Sequence, residues 1–128
     1  MQLPEDDERY LNEKGYIWSL VADGAGACLL LSEYRLDAAR YTPATTTIMV
    51  RLPAQYPMAN LDMFYADPPV RLTSGGYPDR ADQFETHAGQ QWQRFSRHLE
   101  TPWRPGVDGI ESFLAIIARE LRPAVKAA

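Results

Sequence analysis

Between residues 17 and 65 the chain offers one strand-like segment after another, and the links between them are too short to carry a crossover helix. Ile17–Ala22 and Cys28–Tyr34 flank Asp23-Gly24-Ala25-Gly26, a turn-rich connection. Thr45–Leu52 is rich in β-branched residues, with Ile48, Val50 and Leu52 alternating against Thr47, Met49 and Arg51. Pro53 and Pro57 close that strand, and Leu61–Tyr65 opens another before Asp67-Pro68-Pro69. Parallel neighbours need a crossover of roughly a dozen residues or more, so about four strands in an antiparallel meander are expected.

A helix is expected at each end of this sheet. Pro4-Glu5-Asp6-Asp7-Glu8 places proline in a first turn and acids at the positive end of the helix dipole. Tyr10 and Leu11 supply a small apolar face, and Gly15 marks a stop. Near the other end, Asp108 reads as an N-cap with Glu111 three residues on. Ile110, Phe113, Leu114, Ile117 and Leu121 then fall on one helical face, and Pro123 ends the run. Residues 66–92 read as a long loop around Ser74-Gly75-Gly76-Tyr77-Pro78, the kind of segment that carries function. Gln91–Phe95 is strand or short turn. The order helix, strands, loop, helix makes one α+β domain over residues 1–128.

Charge and cysteine content narrow the chemistry. Seventeen acidic against thirteen basic side chains give a net charge of −4, which argues against binding nucleic acid, whose phosphates need basic partners. No apolar run is long enough for a membrane span, and the acidic opening is the wrong charge for a signal peptide. A single cysteine, Cys28, excludes an internal disulfide and any Cys-x-x-Cys site, which fits a reducing cytoplasm. Cys28 sits in the apolar run Ala27–Leu31 and reads as core filler.

No phosphate loop, dinucleotide fingerprint, His-Glu-x-x-His or Gly-x-Ser-x-Gly is present, and no cofactor is expected. His87 and His98 are the only histidines, and nothing in their spacing with Asp79, Asp82 or Glu85 asks for a metal. Ser96-Arg97-His98 is the most suggestive cluster. In an extended segment positions 96 and 98 share a side, so a histidine is positioned to take the serine proton; a solvated loop with an arginine ion pair is the plainer reading. Trp92, Phe95, Trp103 and Tyr77 gather around it, as a minor core or a partner surface.

Tyr56-Pro57-Met58-Ala59-Asn60-Leu61-Asp62-Met63-Phe64-Tyr65 resembles the Tyr-Pro signature between two meander strands of ubiquitin-conjugating enzymes. Trp103-Arg104-Pro105-Gly106-Val107-Asp108 resembles the Trp-Ser-Pro segment before the helix that follows their active site, so helix 110–122 takes that helix's place. More closely, Leu3-Pro4-Glu5, Lys14-Gly15-Tyr16, Arg51-Leu52-Pro53 and Trp92–His98 resemble the prokaryotic UBC-like family E. The resemblance implies a UBC-like fold and a place in a bacterial ubiquitin-like operon. Its implied partners are a ubiquitin-like protein, an activating enzyme and a further subunit of the same operon, and its implied setting is phage defence.

The departure from the pattern concerns the nucleophile. The place of the catalytic cysteine falls at Phe95 or Ser96, seven or eight residues before Trp103, and that of the preceding histidine near His87. No asparagine stands for the oxyanion-stabilising one, which leaves Gln90 or Gln91 as donors. Ordinary thioester chemistry is therefore excluded, and two readings remain. In the first, Ser96 carries the ubiquitin-like protein as an oxyester, with His98 or His87 as base and Arg97 or backbone amides on the oxyanion. In the second, the chain is a catalytically inactive binding module for the ubiquitin-like protein or its activating enzyme. There the Arg97 and His98 side chains are structural and pair with carboxylates such as Asp108.

Overall fold

A computed structural model of the chain describes residues 1–123. Helix α1 (Glu5–Glu13) opens on Pro4 with four acids in its first turn and buries Leu11 completely. Gly15, just past its end, takes a positive φ of 75° that a side chain would resist. Strands β1 (Ile17–Asp23), β2 (Gly26–Arg35), β4 (Thr45–Leu52) and β5 (Phe64–Asp67) then pair antiparallel in sequence order. The fourth strand begins at Phe64 rather than Leu61, because Met63 sits at φ 62° and breaks extended pairing before it. Short strands β3 (Tyr41–Thr42) and β6 (Arg71–Leu72) form a separate two-stranded sheet.

The expected loop over residues 66–92 and the four-strand sheet both need correction. The region contains β7 (Gln83–His87), and β8 (Gln90–Phe95) follows it in a hairpin, so the main sheet has six strands in the order β1-β2-β4-β5-β8-β7. The tight turn is Ala88-Gly89, both at positive φ. Strand β7 lies at the sheet edge with mostly exposed polar residues, so it lacks the apolar alternation that betrays a strand in sequence.

The sheet's helix side forms the core. Leu29, Leu31, Ile48, Val50, Phe64 and Phe95 meet Ile110, Phe113, Leu114, Ile117 and Leu121 of helix α2 (Ile110–Leu121). Phe64 and Phe95, paired across β5 and β8, stack with ring centres 4.5 Å apart. Each such side chain contributes roughly 1.5–3 kcal/mol by leaving water. On the opposite side Cys28, Met49, Tyr65 and Trp92 bury one another without a helix residue in their cluster.

Helix α2 starts at Ile110 as expected, but its N-cap is one residue later. Gly109 is the N-cap, and the Ser112 hydroxyl accepts its N–H at 3.0 Å. Asp108 does not cap the helix because Arg104 holds its carboxylate, with the backbone N–H at 2.9 Å and the guanidinium at 3.2 and 3.3 Å. The two resemblance motifs meet at this end. The Trp103 indole donates to the Pro57 carbonyl at 3.0 Å, and the Tyr56 hydroxyl donates to Asp7 at 2.7 Å while accepting the Ile110 N–H at 2.8 Å. Tyr56 thus ties α1 to the start of α2. No helix among the described residues is long and apolar enough to cross a membrane.

Candidate functional site

Ser96 leaves β8 held on both flanks. Its N–H donates to the Arg80 carbonyl at 3.2 Å, and the next carbonyl, of Arg97, accepts the Met63 N–H at 2.6 Å. Arg80 and Met63 are themselves at φ 53° and 62°, a conformation that costs a non-glycine residue on the order of 1–3 kcal/mol. Strand β8 ends at Phe95, and the backbone beyond it is irregular. Gln93 and Phe95 face the helix side, and Arg97 follows them. Its guanidinium meets Glu120 of α2 twice, at 2.6 and 2.8 Å, and donates to the Asp79 carbonyl at 2.8 Å. Ser96 is half-buried, and its hydroxyl makes no hydrogen bond among the described residues.

His98 is exposed, and its Nδ1 lies 3.6 Å from Asp62 Oδ1. That is an ion-pair distance rather than a hydrogen bond. It leaves Nε2 on the far side of the ring unengaged among the described residues. Asn60, Asp62, His98, Thr101 and Trp103 line one cleft of about 270 Å³. The imidazole with a carboxylate at Nδ1 is the base-and-positioning pair that acyl transfer asks for, whereas Ser96, two residues back, is not among the residues that line this cleft.

The other expected site residues lie elsewhere. His87 pairs in register with Gln90 at the turn of the β7–β8 hairpin, so six residues of extended chain, about 20 Å at 3.3 Å per residue, separate it from Ser96. It is no base for that hydroxyl. Its Nε2 instead contacts Glu85 at 2.8 Å, and its ring stands edge-on to Tyr65. Gln91, opposite Thr86 on the same hairpin, is five residues of nearly extended chain from Ser96, roughly 17 Å, and Gln90 donates to Asp67. Arg97 is engaged by Glu120 and is not offered to an oxyanion. Neither Arg97 nor His98 pairs with Asp108, whose partner is Arg104. Cys28 is buried, and burial pushes its thiol pKa up, followed by the repulsion of Asp23. No group of three or more His, Cys, Asp or Glu side chains among the described residues is arranged to hold a metal.

A family description matches this chain from residue 3 to residue 124, that of prokaryotic E2 family E. The chain belongs to prokaryotic E2 family E. No curated protein and no solved structure matches it. A family E chain is an E2-like protein of bacterial ubiquitin-like conjugation, and E2-like proteins in general work with a ubiquitin-like protein and its activating enzyme.

Three features of this family E chain escaped sequence reasoning. Asp62 and Asn60 reach the site from the approach to β5, and only the β5–β8 register brings a residue 36 positions away beside His98. Gln93, fully buried, pins the connection between β5 and β7. Its amide accepts the Val70 N–H at 2.6 Å and donates to the carbonyls of Val70 and Ala81 at 2.9 and 2.8 Å. Its one signal was a polar residue on the Phe95 side of the strand. Glu85 gathers Tyr65, His87 and Arg94 at 3.1, 2.8 and 2.7 Å. Partial burial pushes the Glu85 carboxyl up, yet hydrogen bonds from His87, Arg94 and Tyr65 outweigh it and hold it below the ordinary range.

Proposed function

We propose that this family E chain is a UBC-like conjugating enzyme that carries a ubiquitin-like protein as an oxyester on Ser96. His98 Nε2 takes the hydroxyl proton, and Ser96 Oγ attacks the acyl carbon at the C-terminus of the ubiquitin-like protein held by the activating enzyme. The new C–O bond forms, the bond to the activating enzyme's leaving group breaks, and the proton passes to that group. A later attack by an amine breaks the C–O bond and returns a proton to Ser96. Asp62 orients the imidazole, and the Asn60 amide, lining the same cleft, is the donor for the tetrahedral oxyanion.

The observation that carries this reading is the arrangement at residues 96–98. Glu120 holds Arg97 against α2, which leaves Ser96 half-buried without a hydrogen bond of its own, and Asp62 stands at His98 Nδ1, not Nε2. A serine hydroxyl is much less acidic than a thiol of pKa ~8.5, so it depends on such a base. One observation favours the inactive binding module instead: the Arg97–Glu120 pair anchors the segment whether or not Ser96 reacts.

The two readings part in a reconstituted reaction with the cognate ubiquitin-like protein and activating enzyme. The wild-type adduct should resist thiols and yield to hydroxide. Ser96→Ala should form none, and Ser96→Cys should form one that thiols release. An adduct that persists unchanged in Ser96→Ala rules out the oxyester.

A further inference from the structure

The main sheet has two edge strands, β1 and β7, and they are built differently. An edge strand offers unpaired N–H and C=O groups to any other strand, and folded chains blunt it with charge, proline, bulges or brevity. Strand β7 follows that rule: it is five residues long and carries Glu85 and His87. Strand β1 does not. Its seven residues, Ile-Trp-Ser-Leu-Val-Ala-Asp, hold no proline and no charge before Asp23, and its register against β2 runs from Ile17 to Asp23 without a bulge. None of the seven is buried, and Ile17 and Val21 are 56% and 38% exposed.

The turn fixes which groups this edge offers. Gly24-Ala25 is a two-residue hairpin loop closed by the pair Asp23–Gly26, and such a closing pair exchanges hydrogen bonds. Alternation along an antiparallel ladder then points the backbone of Val21, Ser19 and Ile17 to β2 and that of Ala22, Leu20 and Trp18 outward. The order of side chains around Ser19 is self-complementary. A second β1 laid antiparallel, with Ser19 opposite Ser19, sets Ile17 against Val21 on one face and Trp18 against Leu20 on the other. The Trp18–Leu20 pairs are then the hydrogen-bonded ones, and Ile17 meets Val21 at the closer, non-hydrogen-bonded spacing. Asp23, the strand's one charge, falls opposite Gly15, so no like charges meet.

We infer that two copies of this chain pair along β1 about a two-fold axis through Ser19, joining their six-stranded sheets into one continuous sheet. A two-fold contact uses the same patch on both copies, which a self-complementary strand supplies. The pairing covers the exposed Ile17 and Val21 and satisfies the outward backbone groups of both edges. Ser96 follows β8, four strand spacings or roughly 19 Å across the sheet from β1, so the dimer stands or falls independently of the acyl-transfer reading.

Sedimentation of the full chain along a dilution series should show reversible dimerisation, with the mass rising from 14.5 kDa to twice that. Val21→Lys puts a charge on this edge at an exposed position. Its Tm in dilute solution should match that of wild type, while the Kd of the dimer rises by roughly tenfold or more. The register is read by cross-linking in a Cys28→Ser background. Ser19→Cys brings two thiols opposite each other across the axis, within the Cα spacing that a disulfide needs, and should oxidise to a covalent dimer. Ile17→Cys faces Val21 instead and should not. A chain that stays monomeric throughout the series, a dimer that Val21→Lys leaves intact, or equal cross-linking of the two cysteine variants would overturn the pairing.

Discussion

His98 carries the chemical burden of the account at the scale of one residue, because a serine without a base is a poor nucleophile. Its side chain is 67% exposed, so replacing it disturbs little packing. His98→Gln should therefore slow single-turnover loading by roughly 10²–10⁴-fold while leaving the urea midpoint where it was. Asp108 does a different job, closing the turn that leads into α2. The hydrogen bonds and charge of Arg104 hold its carboxyl below the ordinary carboxylate range. A depressed folded-state pKa stabilises the fold above the unfolded value of about 3.9 and loses that contribution as pH falls through the folded value. Asp108→Asn should thus be less stable than wild type at neutral pH. Denaturation curves taken downward from about pH 5 should show that difference shrinking and closing in acid. A gap that stays constant to the lowest pH would mean that the Arg104 contact contributes nothing.

Among elements, the β7–β8 hairpin decides where the site can be. It moves His87 to the far end of the hairpin and brings Arg97 and His98 to the approach of β5, beside Met63 and Asp62. Gln93 joins this hairpin to the preceding connection with three buried hydrogen bonds. Gln93→Leu strands the N–H and C=O of Val70 and the C=O of Ala81, and unmade buried bonds cost about 1–3 kcal/mol each. A total loss on the order of 3 kcal/mol or more is expected in chemical denaturation, with faster amide exchange concentrated in residues 68–82. Helices α1 and α2 and strands β1, β2 and β4 were legible in the sequence because apolar and β-branched runs there are bounded by turn and cap residues. The hairpin was not, since β7 lies at an edge with exposed polar residues. The site was half legible for the same reason. Ser96 and His98 are near neighbours in the chain, whereas Asp62, Asn60 and the Gln93 pin depend on strand register, which no local spacing reports. The shift of the α2 N-cap to Gly109 shows a local rule overridden, as Arg104 claimed the carboxylate first.

The whole molecule is a six-stranded sheet with helices on one side, and its single thiol lies in the cluster on the other, buried and raised in pKa. With Cys28 buried, the proposed conjugating activity rests on Ser96. The deciding measurement is the position of the bond itself. The wild-type chain, charged with its ubiquitin-like protein, is treated with thiol, digested with trypsin and mapped by mass spectrometry. The account predicts that the C-terminal remnant stays attached to the Phe95-Ser96-Arg97 peptide, is released by hydroxide, and appears equally in Cys28→Ser. A remnant on any other residue, or an adduct that thiol removes, would contradict it.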